Sequence, residues 1–113
     1  VWRLERLARE FPELTFVSLD ALTTNTNSQP VLDIAKRTPN ILFDTAHVRG
    51  SNYVRQFVET VGSQRLVFGS LFYSHPASYE HSATLEEVKA AKISNEDLAN
   101  ILSRNAKKLF KLA

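Results

Sequence analysis

The sequence predicts an α/β fold with three parallel strands and helices packed on them. Three observations carry this. Short runs rich in β-formers, at residues 14–19, 41–43 and 65–69, recur at even spacing and have the near-continuous hydrophobicity of buried parallel strands. Each run is preceded by a segment of helical period, which is the rhythm of βα units. Each run also ends in a polar stretch, and in such folds the groups that act chemically sit just past the carboxyl ends of the strands. Residues 65–76 show this most clearly: Leu66, Val67 and Phe68 run into Gly69 and Ser70, and the chain then becomes loop-like.

Residues 2–11 form a helix in this reading, because Leu4, Leu7, Ala8 and Phe11 share one face and Pro12 stops it. The first strand, 14–19, follows at once, with Asp20 just beyond its end. The polar segment 23–30 predicts a surface loop at the Asp20 end, a plain connection rather than a lid. Asn27 or Ser28 would cap a helix over 29–36 that turns Val31, Leu32 and Ala35 inward. After Thr38, Pro39 and Asn40 comes the second strand, with Asp44, Thr45 and His47 at its end. Gly50 and Ser51 lead into a helix over 52–61 whose apolar face is Tyr53, Val54, Phe57, Val58 and Val61, and Gly62 is placed as its C′ residue. The third strand is 65–69. A loop then runs past Pro76, Tyr79, Glu80 and His81 to Thr84, where Thr84-Leu-Glu-Glu87 reads as a capping box with Leu85, Val88 and Ala91 inward. Ser94-Asn-Glu-Asp97 reads as a second box. It opens a last helix with Leu98, Ile101, Leu102, Ala106, Leu109 and Phe110 on one face and a break expected near Arg104 and Asn105.

The 113 residues suffice for one small domain, read here as a single segment over 1–113. Apolar content of 43% and charged content of 23% are those of a soluble globular protein. With no Cys there is no disulfide framework, zinc ribbon or thiol nucleophile. No apolar run reaches the roughly 18 residues of a membrane span, and no signal peptide opens the chain, so a cytoplasmic location is expected. The net charge of +2 owes much to Arg104, Lys107, Lys108 and Lys111 near the end. Cations there complement a helix dipole and solvate its outer face, and no aromatic residues interleave them as a nucleic-acid surface would require. The chain opens on Val1 and has no Met, which points to a portion of a longer protein. The three His have no tight metal-ligand spacing. Ser70 stands in Phe-Gly-Ser-Leu rather than in a Gly-x-Ser-x-Gly elbow, and no phosphate-cradling glycine loop is present.

Four stretches together resemble the C-terminal part of the amidohydrolase superfamily, in its amidohydrolase-related, metal-dependent hydrolase branch. Phe11-Pro-Glu-Leu-Thr-Phe-Val17 is similar to that branch's helix-Pro-strand entry, and Asn40-Ile-Leu-Phe-Asp-Thr-Ala46 to its next strand. Arg65-Leu-Val-Phe-Gly-Ser70 is similar to its final strand. Ile93-Ser-Asn-Glu-Asp-Leu-Ala99 through Asn105-Ala-Lys-Lys-Leu-Phe110 is similar to its closing helices. The resemblance implies a (β/α)8 TIM barrel of about 250 residues, of which this chain is the C-terminal part, bearing the last three strands. It implies hydrolysis or decarboxylation of a small organic substrate.

It also implies a divalent metal such as zinc in the full-length protein, held mainly by His, with none assured in this chain, which lacks the His-x-His pair. Such a metal lowers the pKa of a bound water and polarises the substrate. The family's final-strand Asp, which takes a proton from that water, falls at Leu71, and leucine can neither ligate metal nor move a proton. A further family His falls at Asp20, which can ligate a hard cation and becomes the metal candidate. Asp44, His47, His75 and His81 are then the substrate-binding candidates. The alternative is a catalytically silent barrel used as a binding or interaction scaffold, with Asp44 capping a turn and the histidines solvated. A third reading, a self-contained flavodoxin-like domain, would have a thin sheet and a small core. Expected partners are a small-molecule substrate and, as an open option, further copies of the chain, with no nucleic acid or membrane.

Overall fold

Helix and strand alternate as the hydrophobic periods require. The computed structural model describes residues 1–22, 29–46, 48, 50–70 and 81–113. Along the chain these form α1 (Trp2–Glu10), β1 (Phe16–Ser18), α2 (Gln29–Arg37), β2 (Ile41–Asp44) and α3 (Ser51–Thr60). A 3-10 turn (Ser63–Arg65), β3 (Leu66–Val67), α4 (His81–Lys89) and α5 (Asn95–Ala99) follow, and a π-helical segment (Asn100–Arg104) leads into α6 (Asn105–Leu109). The strands make one parallel sheet in the order β1-β2-β3, with Phe16 beside Ile41, Ser18 beside Phe43, and Phe43 beside Leu66. The α/β class with three parallel strands is thus as expected. These residues form an open sheet, and a closed barrel would need strands beyond them.

Strand side chains alternate between faces, so Ile41, Phe43 and Leu66 share one face and Leu42, Asp44 and Val67 the other. The first set is fully buried in one cluster with Leu32 and Ile34 of α2, Val54 and Phe57 of α3, Val88 of α4, and Ile101. The Phe43 and Phe57 rings meet at 5.4 Å with planes tilted by 59°, a favourable edge-on geometry. The opposite face is less covered: Leu42 is half-buried and Val17 is 36% exposed.

Several expectations are corrected. β1 and β3 are shorter than predicted; β3 starts late because the chain before Leu66 winds into the 3-10 turn instead of extending. α4 starts a turn early, so Thr84 is a buried residue inside the helix and not its N-cap. Leu7, Phe11 and Phe110 lie on predicted apolar faces but stay 45%, 44% and 67% exposed, since no described element covers them. The irregularity expected near Arg104 and Asn105 is not a chain break, since both keep right-handed helical angles, but a change of winding: the π segment ends at Arg104 and α6 begins at Asn105. Other readings hold. Gly62 follows α3 with φ 106 and donates to Val58 O at 3.0 Å. Ser94 Oγ accepts from Asp97 N–H at 3.0 Å and donates to the Asp97 carboxylate at 2.6 Å. Hydroxyl bonds from Ser63 and Ser94 hold the Asp97 carboxyl below the usual carboxylate range. The proposed caps Asn27 and Ser28, with most of the 23–30 loop, lie outside the described residues.

Long-range polar clamps fix the helices on the sheet. Asn40 Nδ2 donates to Ala8 O, Phe11 O and Leu14 O at 2.9, 3.2 and 3.0 Å, holding the end of α1 against the start of β2. Arg37 spans α2 to α1 with a two-pronged bond to Glu5, at 3.0 and 3.2 Å. Buried Asn105 donates to Ser63 O at 2.7 Å and Leu66 O at 2.6 Å.

Two outcomes follow from these clamps. Asn105→Ala leaves two buried carbonyls without their donor and should destabilise the chain by about 1–3 kcal/mol, read as a lowered denaturant midpoint. The Arg37 hydrogen bond holds the Glu5 carboxyl below its ordinary 4.5. Its contribution to stability is therefore present above that value and is lost as pH falls through the depressed folded pKa. In Arg37→Gln the Glu5 carboxyl should titrate closer to its ordinary value in a 13C NMR titration, with Arg9 still contributing.

Candidate functional site

The carboxyl ends of the three strands meet around Asp44, the last residue of β2, which is only 7% exposed. Its Oδ1 accepts the main-chain N–H of Asp20 at 2.9 Å, which ties the exit of β1 to the end of β2. Asp20 has φ 58 and so turns the chain in the left-handed region, which Asp tolerates better than most residues. On the other side stands Gly69, where a Cβ would fall 2.8 Å from Asp44 Oδ2. Only a residue without a side chain lets the carboxylate sit there. Thr45, fully buried, completes the junction. Its N–H donates to Val67 O at 3.1 Å, its Oγ1 accepts the Gly69 N–H at 3.1 Å, and its hydroxyl donates to Gly69 O at 3.1 Å.

A carboxylate held this way is an acceptor-only anion at the mouth of the sheet, suited to orient a donor, accept a proton or ligate a hard cation. Asp20, whose main-chain N–H makes this bond, is exposed. His81 opens α4, where its backbone alone is described, and Leu71, His47 and His75 lie outside the described residues. The structure therefore brings together Asp20 and Asp44 among the predicted residues. Among the described residues no group of three or more His, Cys, Asp or Glu could hold a metal ion. These residues alone do not fit a metal centre.

The sequence reading missed the parts played by Gly69 and Thr45. A lone glycine closing a strand is a signal for close backbone approach, and it was legible. The reciprocal Thr45–Gly69 bonds join positions on different strands and were not.

An α/β chain of βα repeats, with its polar residues gathered where parallel strands end, belongs to the class whose members work at the strand carboxyl ends. The profile of the Amidohydrolase family matches residues 1–112, and the chain belongs to that family. No curated protein and no solved structure matches it. Among the described residues no helix is long and apolar enough to cross a membrane.

The packing of Asp44 on Gly69 can be tested by a double-mutant cycle. Gly69→Ala should cost about 1–3 kcal/mol through overpacking. In an Asp44→Ala background the same change should cost markedly less, because the clashing oxygen is gone. Equal costs in both backgrounds, measured by denaturant unfolding, would show that Gly69 does not serve the carboxylate.

Proposed function

We propose that the chain is the C-terminal segment of a larger (β/α)8 barrel that acts as an amidohydrolase-like, metal-dependent hydrolase or decarboxylase on a small organic substrate. The observation that carries this reading is the family profile spanning residues 1–112. Asp44, anchored where the strands of that family present their working groups, supports it. Asp44, His47, His75 and His81 are the proposed substrate-binding residues, and Asp20 is the proposed metal ligand from this segment. A divalent metal such as zinc, if held chiefly by the rest of the barrel, would supply an activated water. Within this segment Asp44 fixes the turn at Asp20 and sets where that second carboxylate stands. The reading requires a small-molecule partner, and neither nucleic acid nor membrane.

Leu71 favours a second reading. It occupies the position at which the family resemblance places the proton-accepting Asp, so the barrel would be retained as a binding or interaction scaffold without turnover.

One experiment separates the two. The protein is isolated from its source, its intact mass and bound metal are measured, and amide, ester and lactone substrates are assayed with and without chelator. A mass near that of a whole barrel and chelator-sensitive turnover support the enzyme. A whole-barrel mass without turnover supports the scaffold, and Leu71→Asp should then raise any residual rate by about 10²–10⁴, the usual worth of a general base, where the remaining site is intact. A native mass equal to that of the 113-residue chain overturns both readings.

A further inference from the structure

The opposite end of the sheet holds a feature that the hydrolase reading does not use. A cavity of about 670 Å³ opens at the amino-terminal ends of the strands, reached by the residues just before each one: Thr15, Asn40 and Arg65. Its far wall is the C-terminal helical segment and the turn after it, which contribute Arg104, Lys108 and, past the end of α6, Lys111. Four cations therefore line one concavity, and no Asp or Glu lines it. None of the four takes part in the ion pairs formed among the described residues.

A solvated C-terminal surface accounts for Arg104, Lys108 and Lys111 taken alone. It does not account for Arg65, which comes from the sheet side and is half-buried. Arg65 Nε donates to Ile41 O at 2.6 Å, and Nη2 donates to Thr38 O at 2.6 Å and also to Ile41 O. These acceptors are neutral carbonyls, and Nη1 has no bond among the described residues. Burial without a countercharge pushes the Arg65 guanidinium below its usual range. Arg104 and Lys108, one turn apart, add a like-charge pair that is unfavourable on a helix. Like charges around a low-dielectric concavity focus their field on its interior. An oxyanion placed there would relieve both costs and give the guanidinium the partner its planar geometry suits.

We propose that this cavity is an anion-binding site for a small soluble molecule bearing a phosphate or diphosphate group. Four cations match a multivalent anion better than a single carboxylate, and the volume suits a small-molecule ligand. The cavity lining contains no aromatic residue on which a base could stack, which disfavours nucleic acid. The proposal depends on neither the family assignment nor the hydrolase reading.

The test is calorimetric titration of inorganic pyrophosphate into the full chain at low ionic strength. Saturable binding of one anion per chain is expected, weakening as salt is raised. Arg104→Gln/Lys108→Gln removes two exposed cavity cations that make no described hydrogen bond, so the fold should persist. This variant should bind about tenfold more weakly or worse. Lys36→Gln/Lys107→Gln removes the same charge from exposed positions outside the cavity and should stay within about twofold of wild type. No saturable binding at millimolar pyrophosphate overturns the proposal. So does equal weakening by the two variants, which would reduce the effect to net charge.

Discussion

The middle strand has to be satisfied on every side, and most of the fold follows from how that is done. β2 lies between β1 and β3, and its ends are where a parallel sheet most easily leaves polar groups unpaired. At its start, Ile41 O faces the region where β3 has not yet become a strand, because Ser63–Arg65 are still a 3-10 turn. A strand amide cannot reach it there, and the Arg65 side chain takes it instead, together with Thr38 O. Asn40, one residue earlier, gathers three carbonyls from the end of α1 and the approach to β1. At the far end Asp44 and Thr45 perform the same service for the exits of β1 and β3. Buried strand ends are costly when unpaired, so these few side chains set where the helices sit.

The outer edge of β3 is settled by the terminal helix. Leu66 and Phe68 point their main-chain groups away from β2, since Val67 is the residue that bonds Thr45. Leu66 O is taken by Asn105 Nδ2, and Phe68 N–H donates to Ile101 O at 3.0 Å. The second bond explains the π segment. Asn105 N–H bonds back to Asn100 O rather than to Ile101 O, which leaves the Ile101 carbonyl able to turn toward the strand. One widened turn thus covers an edge that would otherwise be open to a foreign strand. It also bears on barrel closure. A strand added beside β3 would have to displace these two bonds.

What was legible in the sequence was what local period determines. The apolar faces of α2 and α3, the Gly62 terminus and the Ser94 cap depend on residues within a turn or two of one another. The strand lengths were overread because β-former composition continued through a segment that tertiary contacts bend, as Arg65 shows. Thr84 had the pattern of a capping box, but burial of its helix against the core moved the real start to His81. The clamps by Asn40, Arg65 and Asn105 reach across 24 to 42 residues, and no periodicity reports such pairings. At the site, the importance of Asp44 was visible from its place at the end of a buried strand and Gly69 signalled a close approach, while the pairing of Asp44 with the Asp20 amide and with Gly69 appears only once the strands lie side by side.

The two ends of this sheet are held by separate sets of bonds. The clamps at the amino-terminal ends, with the hydrophobic cluster above them, account for the placement of α1 and the terminal helix. None of them touches the strand mouths. At the mouths, Asp44 accepts the main-chain N–H of Asp20 and sits in the space left by the missing side chain at Gly69. The anchoring of Asp44 is accordingly evidence about architecture first, as the bonds of Arg65 to Thr38 O and Ile41 O are at the opposite end.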